Sequence, residues 1–528
     1  MGRRGAPPHG LPHHLHRVGP DHRRHPGRRR GLTQRGRHPL HAHAHALGSA
    51  LVARVAVIGA GVAGLASAAR LADFGHAVTV IERADRLGGQ VATTVADGLT
   101  FELGATTFSL PAVLRDLFRK TGRPLERELD LVPVDPVARH LFADGTVLDL
   151  PNASRGATIE AMTSAFGAQA AHEWDVMLRT AGALWEVVRP RIVDVEFSAA
   201  DAARLTLGRS PATRSGTLRE FGERHLSDPR LRALLDTYAA GIGADPAHSP
   251  AAVAVLAYAE RTFGSWTVDG GLPVLVEALR RRAVERRATI VTGQAVARVV
   301  VDSGRVTGVG LDDGRTIDAD VVVSTVSTQA LYRDLTPGRS TRRLAGPPLP
   351  GRSTLTIMLA VDGPPPPGVP CRTVLTPEAA TPTAVFATAA ASPDAATGAT
   401  PCATPGVVHV DCAPHGSAAG ETDWTAPGVA EAHAAAVLDA FAARGLDLRT
   451  DAHTVALRTP HDLERDLGAP GGRIYGTSWL GTGAVRNRPG NRSPVRGLFL
   501  AGAATHPGAN LPLAVASARI VADLVGRA

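Results

Sequence analysis

Residues that carry thiol and amine chemistry are scarce in this sequence. It contains one lysine, Lys120, and three cysteines, Cys371, Cys402 and Cys412, none of which forms a CxxC pair. We therefore expect no dithiol redox centre, and an unpaired thiol fits a reducing cytoplasm better than an oxidising compartment. Beyond the N-terminal segment no run of about 18 apolar residues occurs, which argues against a membrane-spanning helix.

Excess positive charge is confined to the N-terminal segment. The chain has a formal net charge of +8, and residues 1–50 hold ten arginines and one aspartate, a net of +9. The remainder has 47 basic and 48 acidic residues and is close to neutral. A neutral body offers no basic surface for nucleic acid, so we expect no nucleic-acid partner.

Residues 1–50 have the composition of a disordered segment. They contain ten of the 21 histidines, many prolines and glycines, and almost no apolar periodicity. Arginine replaces lysine throughout the chain, which is typical of GC-rich coding DNA. We therefore expect that the start is misassigned and that the true chain begins near residues 47–52. Two alternatives are a metal-binding tract at HAHAHA, 41–46, and a basic membrane tether. Elsewhere no metal site is predicted.

The most informative segment begins at Val55 and reads VAVIGAGVAGLASAARLADFGHAVTVIER. Its apolar runs predict two buried parallel strands joined by a helix. Between strand and helix, Gly59 permits the tight turn, Gly61 lets the backbone approach a pyrophosphate, and Gly64 lets the helix pack closely on the strand. Glu82, at the end of the second strand, can accept from both ribose hydroxyls. The combination predicts a dinucleotide site at the N-terminus of the helix.

The residues after Glu82 indicate which dinucleotide binds. The segment RADRLGGQ supplies Arg83, Arg86 and the pair Gly88 and Gly89. A loop that returns over the pyrophosphate needs charge and close backbone approach, which these residues provide. This second loop is typical of FAD enzymes of the glutathione-reductase type, so FAD is the predicted cofactor. The alternative is an ordinary glycine turn.

The C-terminal segment, residues 497–525, predicts a second contact with the flavin. GLFLAGAATHPGANLPLAVASARIVADLV reads as a strand over 498–501, a turn opened by Gly502, and a helix that begins near Pro512 after Gly508. A helix N-terminus at this place can stabilise the anion of the reduced flavin. It can equally be a packing helix, and the two interpretations are compatible.

No second complete GxGxxG unit follows. GVGLDDG, 308–314, falls within a predicted strand meander, and GAPGG, 468–472, reads as a loop. A dedicated NADPH domain is therefore not expected. Electrons are predicted to leave the flavin for oxygen, a quinone or another diffusing acceptor.

Together these patterns predict an α/β fold. Its FAD-binding Rossmann-like domain, of the glutathione-reductase type, is discontinuous, and a discontinuous α+β substrate domain fills the intervals. A hairpin over 141–150 opens the first interval, which then becomes helical, while the second interval is rich in proline and alanine. The predicted FAD-binding parts are 51–130, 264–334 and 472–528, and the predicted substrate and membrane-docking parts are 131–263 and 335–471.

From about residue 54 to 526 the chain resembles the bacterial-type phytoene desaturases, carotenoid-modifying members of the flavin amine oxidase superfamily. The similarity is carried by FELGATTFSLPAVLRDLF (101–118), DLVPVDPVARHLFADGTVLDLP (130–151), WTVDGGLPVLVEAL (266–279), LGAPGGRIYG (467–476) and AGAATHPGANLP (501–512). The last segment is the most specific. Two segments depart from the family pattern: VVVSTVSTQALYRDL (321–335), and GRSTLTIMLAVDG (351–363), which lacks the paired histidines of many desaturases.

The resemblance implies FAD contacts at a set of residues. They are Gly59, Gly61, Gly64, Glu82, Arg83, Gly88, Gly89, Gly502 and Gly508, with Val296 contacting the adenine through its backbone and His506 beside the flavin. A catalytic base is not identified, although His506 is one candidate.

The resemblance also implies an activity. A long isoprenoid, phytoene or a related carotenoid, would be desaturated by hydride transfer to the flavin and loss of a proton from the adjacent carbon. Such a substrate predicts a narrow apolar tunnel. It also predicts peripheral docking of a cytoplasmic protein on the membrane, through an apolar surface of the helical part of 160–260.

Three alternatives remain open. One is a carotenoid-modifying enzyme that acts on an already desaturated or hydroxylated carotenoid, or a saturase or isomerase on the same scaffold. Another is a flavin amine oxidase, but the familiar members use a lysine near the flavin and an aromatic cage, and this chain has only Lys120 and four tyrosines. The third is a prenyl-binding escort protein without FAD, which would not need the pyrophosphate loop and the flavin-facing C-terminal turn together, and this chain has both.

Overall fold

The computed structural model describes residues 52–196, 216–336, 338–345, 351–363, 372–378, 381–388, 403–450, 452–476 and 488–528. The predictions made for the N-terminal extension and for Cys371 and Cys402 concern positions outside these ranges. They stay predictions.

The described residues form the following strands and helices. The strands are β1 Arg54–Ile58, β2 Ala77–Ile81, β3 Thr93–Ala96, β4 Leu99–Glu102, β5 Leu131–Pro133, β6 Ala138–Leu141, β7 Val147–Leu150, β8 Trp266–Val268, β9 Thr289–Val291, β10 Val296–Asp302, β11 Arg305–Leu311, β12 Thr316–Asp318, β13 Val321–Ser324, β14 Ser353–Asp362, β15 Arg372–Leu375, β16 Ala384–Thr388, β17 Ala403–Cys412, β18 Ala452–Arg458 and β19 Leu498–Leu500. The longer α-helices are α1 Val62–Asp73, α2 Pro111–Lys120, α3 Arg155–Phe166, α4 Ala168–Val188, α5 Leu218–His225, α6 Pro229–Ala240, α7 Val255–Phe263, α8 Leu272–Glu285, α9 Val429–Ala443, α10 Pro460–Leu467 and α11 Leu511–Val525.

The first sheet has five parallel strands in the order β19-β13-β1-β2-β9. Parallel neighbours need crossover connections, and α1 supplies the one between β1 and β2. Fully buried residues on α1, α8 and α11, namely Leu65, Leu279 and Val515, belong to one core with strand residue Val57. This arrangement confirms the predicted α/β fold with a Rossmann-like sheet. Strand β1 includes the predicted 55–58, and β19 covers 498–500 of the strand predicted over 498–501.

The second large sheet has seven strands in the order β18-β14-β17-β16-β15-β6-β7. Its long central strands β14 and β17 pair antiparallel over ten residues each. Helix α9 covers one face, where Phe441 packs with Leu355, Ile357 and Val410. The predicted hairpin is confirmed as β6 and β7, which join the edge of this sheet through parallel pairing of β6 with β15.

Helices α3 to α7 follow the hairpin, as the sequence predicts. Trp174, Met177, Phe221 and Leu234 are buried in their common core. Within the described part of the chain, no helix combines the length and apolarity needed to cross a bilayer. The strand meander is also confirmed as the three-stranded sheet β10-β11-β12. The extents of the two functional domains stay predictions.

Candidate active site

The first glycine turn lies between β1 and α1. Gly59 has a φ of +96°, and its N–H donates to the Ile81 carbonyl at 2.8 Å. A Cβ on Gly64 would lie 1.9 Å from the Gly59 carbonyl oxygen, so only glycine allows the helix to start this close to the strand. Helix α1 begins after Gly61 without a side-chain cap, which leaves its first N–H groups for a ligand.

The second glycine loop rests directly on the first. The Gly88 N–H donates to the Ala60 carbonyl at 3.0 Å, and Gly61 and Gly88 form a parallel bridge. Gly88 and Gly89 both have positive φ, and a Cβ on Gly89 would come within 3.3 Å of the Gly61 Cα. The two loops therefore enclose a cradle of bare backbone beside the start of α1. This cradle fits a pyrophosphate, which needs N–H groups and the absence of Cβ atoms.

Glu82 lies at the same cradle. One carboxylate oxygen accepts from the Ala60 N–H at 2.7 Å, and the other accepts from the Ala84 N–H at 2.9 Å. The Gln294 N–H donates to the Glu82 carbonyl at 3.0 Å, which brings the start of β10 at Val296 close to the acid. The structure thus groups the predicted ribose and adenine positions, although the two sequence segments lie far apart.

Arg83 directly follows Glu82 and contacts the C-terminal part of α10. Its side chain is exposed and donates to the Arg465 carbonyl at 2.8 Å, near the C-terminal end of α10. The predicted role of Arg83 at the FAD is not tested by this contact. A basic side chain near the last carbonyls of a helix is itself favourable.

The C-terminal turn lies over the start of α1. Gly502 has a φ of +102°, and a Cβ there would lie 3.3 Å from the Ala63 Cβ on α1. Gly508, also with a positive φ, leads into α11, whose N-terminus is capped by Asn510 accepting from the Leu513 N–H at 2.9 Å. The predicted helix is confirmed. Its N-cap Asn510 already accepts from the Leu513 N–H, so this N–H group is not available to stabilise a reduced flavin.

His506 connects this turn to the helical region. Its side chain is buried, and the Nε2 atom makes a hydrogen bond of 3.0 Å with the Val195 carbonyl. Its own carbonyl accepts from Asn491 and from Ser517. His506 thus joins the C-terminal turn to the segments of Val195 and Asn491. None of these contacts indicates a role in proton transfer.

Sequence reasoning missed Thr325, which lies between two predicted glycines. Its hydroxyl donates to the Ile58 carbonyl at 2.8 Å, and Cβ atoms on Gly59 and Gly502 would both contact it. Thr325 follows β13, the strand beside β1 in the sheet. The only sequence signal was the polar Ser-Thr-Val-Ser run at the end of an apolar strand, where ligands bind in open α/β sheets.

Three further polar residues frame the site without a sequence motif. Arg488 donates to the carbonyls of Thr505, Ala503 and Tyr475, and burial lowers the pKa of Arg488 to about 9. The fully buried Asn491 donates to the Leu500 carbonyl. Gln90, directly after the second glycine loop, donates to the Ile474 carbonyl at 2.8 Å.

These contacts bring four segments around one place. The two glycine loops, the turn at 502–508 and the segment 470–476 meet beside the carboxyl ends of the parallel strands. Among the described residues, no cluster of three or more histidine, cysteine, aspartate or glutamate side chains could hold a metal ion.

Comparison with known proteins agrees with this geometry. A family model described as flavin containing amine oxidoreductase matches residues 62–409. Hydroxyneurosporene desaturase of Cereibacter sphaeroides is 31% identical over 512 residues, which is 90% of this chain and 99% of that protein. The lycopene-forming phytoene desaturase of Paracoccus sp. is 26% identical over 517 residues, 92% of this chain and 99% of that protein.

Solved structures share the fold at lower identity. Putrescine oxidase bound to putrescine superposes with a TM-score of 0.60 at 18% identity, covering 90% of this chain and 99% of that chain. A fatty acid isomerase from P. acnes gives a TM-score of 0.57 at 17% identity, covering 90% and 98%. At these identities the likeness concerns the fold alone.

Proposed function

This chain belongs to the family of flavin containing amine oxidoreductases, and within that family we propose that it is an FAD-dependent desaturase of carotenoids. The observation that carries the proposal is the double glycine cradle with Glu82 at its edge, in a chain that aligns along nearly the whole length of bacterial carotenoid desaturases. The activity is an oxidation of a CH–CH bond, and the cofactor is FAD.

When bound, FAD supplies the hydride acceptor for this oxidation. In our proposal Gly59, Gly61, Gly64, Gly88 and Gly89 hold the pyrophosphate with backbone N–H groups. Glu82 accepts from the ribose, Val296 contacts the adenine, and Arg83 adds positive charge at the rim. Gly502, His506 and Gly508 border the flavin ring. The contribution of the protein is then to position the polyene and exclude water, and no side chain is assigned as a base.

The substrate class follows from the relatives that cover the chain. They comprise desaturases of phytoene and of hydroxyneurosporene, so their names leave open whether the substrate carries a hydroxyl group. In either case it is a long apolar isoprenoid of the bilayer. We therefore propose that the protein is cytoplasmic and docks peripherally through an apolar surface of the helical part of 160–260, with oxygen or a quinone as electron acceptor.

Amine oxidation is the second candidate, because putrescine oxidase shares the fold. The single lysine of this chain, Lys120, is exposed at the C-terminal end of α2, and among the described residues no hydrogen bond or ion pair joins it to the glycine loops. The familiar lysine-dependent arrangement at the flavin is therefore missing, which favours the desaturase.

The proposal is tested by expression of the full chain in a carotenoid-free host that has been given either a phytoene-producing pathway or one that makes hydroxylated acyclic carotenoids. New absorption bands at longer wavelength in either strain are expected, because each added double bond extends the conjugation. A purified protein that carries FAD but changes neither pigment spectrum, and that oxidises amines instead, would overturn the proposal.

A further inference from the structure

The helical region formed by α3 to α7 has a shallow hollow that the proposed reaction does not use. Its floor is apolar and includes Ile159, Met162, Trp174 and Leu178, which lie in or against the core of the helical region. The hollow has an empty volume of about 210 Å³ including its open mouth, but its interior, about 10 Å³, has room for no more than one water. A larger ligand can therefore bind only across the mouth.

Three arginines lie near one carboxylate at this hollow, and we name the four residues the arginine cluster: Arg155, Asp175, Arg179 and Arg261. Arg155 donates to both oxygens of Asp175 at 2.7 and 2.8 Å, and the Arg179 Nε atom is 3.4 Å from one of them. The side chains of Arg155 and Arg179 are each 60% exposed, and that of Asp175 is 8% exposed. The Arg155 hydrogen bonds lower the pKa of Asp175, so its carboxylate is ionised at neutral pH.

Arg261 has the least satisfied side chain of the arginine cluster. Its Nε atom is buried without a hydrogen-bond partner, and among the described residues no ion pair joins its guanidinium group to an acid. The group lies over the Tyr258 ring, 5.7 Å from the ring centroid. The adjacent Glu260 does not neutralise it, because the Glu260 carboxylate accepts from the Tyr238 hydroxyl at 2.6 Å and interacts with the charge of Arg372. A bound anion would supply the acceptor that Arg261 lacks.

The arginine cluster has an excess of two positive charges. Three guanidinium groups face one carboxylate, while the chain beyond residue 50 is close to neutral as a whole, so the excess is local. Such a site repels an ammonium group, and a hydrocarbon gains nothing from it. Guanidinium groups bind phosphate oxygens through paired N–H donors, and the excess charge can compensate a phosphodiester anion. The chemistry of the cluster therefore favours a phosphate group.

The surroundings of the arginine cluster favour a phosphate that is carried by a lipid. The hollow beside the guanidinium groups is apolar, and Ile159 in its lining is only partly buried. The glycerol and upper acyl part of a phospholipid can bury apolar surface there, which free phosphate cannot do. Basic side chains beside an apolar surface are the combination by which peripheral proteins bind anionic membranes.

We propose that the arginine cluster binds the phosphate group of an anionic phospholipid and so fixes the place at which the helical region contacts the membrane. The inference rests on the peripheral docking proposed above, and it gives that docking a lipid class and named residues. The phosphate accepts from Arg261 and from the exposed Arg155 and Arg179, while Asp175 holds Arg155 in position. The lipid remains a neighbour of the protein and is not a substrate.

The test measures co-sedimentation of the full-length holoprotein with vesicles of phosphatidylcholine alone, and with vesicles of phosphatidylcholine and phosphatidylglycerol in equal parts. Arg261→Gln removes the guanidinium group that has no acceptor and leaves the pair of Arg155 and Asp175 in place. One arginine at an anionic surface contributes about fivefold in affinity, so this variant should bind the phosphatidylglycerol vesicles about fivefold more weakly than wild-type protein. Its binding to phosphatidylcholine alone should not change.

Arg219→Gln is the matched control, because Arg219 is an exposed arginine of α5 that lies near Asp236 and does not line the hollow. It changes the net charge by the same amount and should bind both kinds of vesicle as wild-type protein does. Residues 1–50, with their net charge of +9, are present in every variant, so their contribution cancels. If Arg261→Gln does not yield FAD-bound protein, Arg179→Gln removes one charge of the cluster while Arg155 keeps its pair with Asp175.

The outcomes separate the lipid site from the proposed function. Equal binding of Arg261→Gln and Arg219→Gln to the phosphatidylglycerol vesicles would overturn the lipid site and leave the desaturase standing. If the two variants bind vesicles equally, but inorganic phosphate raises the unfolding temperature of Arg219→Gln and not that of Arg261→Gln, the cluster is a site for free phosphate, which also overturns the lipid site. Carotenoid desaturation by wild-type protein is measured separately in detergent micelles, so its absence would overturn the proposed function without altering the vesicle result.

Discussion

At the scale of single residues, Glu82 is the clearest case of a side chain whose role follows from local sequence. It directly follows β2, and its carboxylate accepts from the Ala60 and Ala84 N–H groups at the glycine cradle. We predict that Glu82→Ala lowers the affinity for FAD by about 10- to 100-fold. Hydrogen bonds to a charged acceptor contribute about 1.5–3 kcal/mol, and each 1.4 kcal/mol is about a factor of ten.

The measurement is the ratio of FAD to protein after gel filtration, followed by titration with FAD. Glu126→Ala removes an equally charged but exposed side chain that pairs with Arg115 at the surface, and it should retain the flavin. Full occupancy in Glu82→Ala would show that the carboxylate does not contact the ribose.

Residues whose partners lie elsewhere in the chain were not predictable. The Arg488 guanidinium joins the carbonyls of Thr505 and Tyr475, and the Asn491 amide joins β19 to His506. From the sequence, an arginine or asparagine in a polar, glycine-rich segment is expected to be exposed to solvent. Only the tertiary fold shows that both are buried and serve as connectors. Thr325 was missed for the same reason, since its role depends on two neighbouring strands.

At the scale of elements, the strand–turn–helix unit of β1 and α1 allows a test that separates folding from binding. A Cβ on Gly64 would lie 1.9 Å from the Gly59 carbonyl, while the closest atoms to a Cβ on Gly61 are 3.8 and 3.9 Å away, on the second glycine loop. We predict that Gly64→Ala gives little soluble protein. Gly61→Ala should fold, but its methyl group enters the space that the pyrophosphate needs.

The readouts are the yield of soluble protein and the thermal unfolding temperature, together with FAD content. Gly61→Ala should show a melting temperature close to that of wild-type apoprotein and a strongly reduced flavin content. Wild-type flavin content in Gly61→Ala would place the pyrophosphate elsewhere. Normal folding of Gly64→Ala would contradict the steric argument.

The elements also show where sequence patterns are informative. The Rossmann unit and the C-terminal helix were predicted because glycine spacing and continuous apolar runs specify them locally. The strands β14 and β17 lie in an interval that reads as rich in proline and alanine, and β17 itself contains Pro405 and Gly406. Their pairing depends on contacts between distant segments. The contacts of β14 with the segment 470–476, which Ser353 and Thr354 make to Gly472 and Tyr475, were therefore not predicted.

At the scale of the whole molecule, the charge distribution separates the N-terminal segment from the rest. Residues 1–50 carry a net charge of +9, and the remaining chain is close to neutral. The segment has few apolar residues to bury, so we predict that deletion of residues 1–46 leaves the unfolding temperature and the FAD content unchanged. Gel filtration and flavin absorbance provide the measurement. Loss of soluble flavoprotein on deletion would contradict this prediction.

Acid stability is a property of the whole fold, and two buried histidines control part of it. Burial lowers the pKa of His140 to about 3 and the pKa of His409 to about 4. Below about pH 6.5 the unfolded chain binds protons at these positions and the folded chain does not. The free energy of unfolding therefore falls as the pH falls from about 6.5 towards 4, by up to about 1.4 kcal/mol per pH unit for each histidine.

Asp236 acts in the opposite sense, since burial raises its pKa to about 6 and the folded state then binds a proton before the unfolded state does. In the wild-type protein, the pH dependence of the free energy of unfolding therefore combines opposing contributions from the histidines and from Asp236. A single substitution isolates one of these contributions. We predict that His140→Gln makes the decline between pH 6.5 and 5 shallower by about 1 kcal/mol per pH unit. Urea unfolding at several pH values between 6.5 and 5 measures this slope. His453→Gln, which removes an exposed histidine, is the control and should leave the slope unchanged. Parallel curves for His140→Gln and wild-type protein would mean that His140 is protonated in the folded state, which its burial in the sheet argues against.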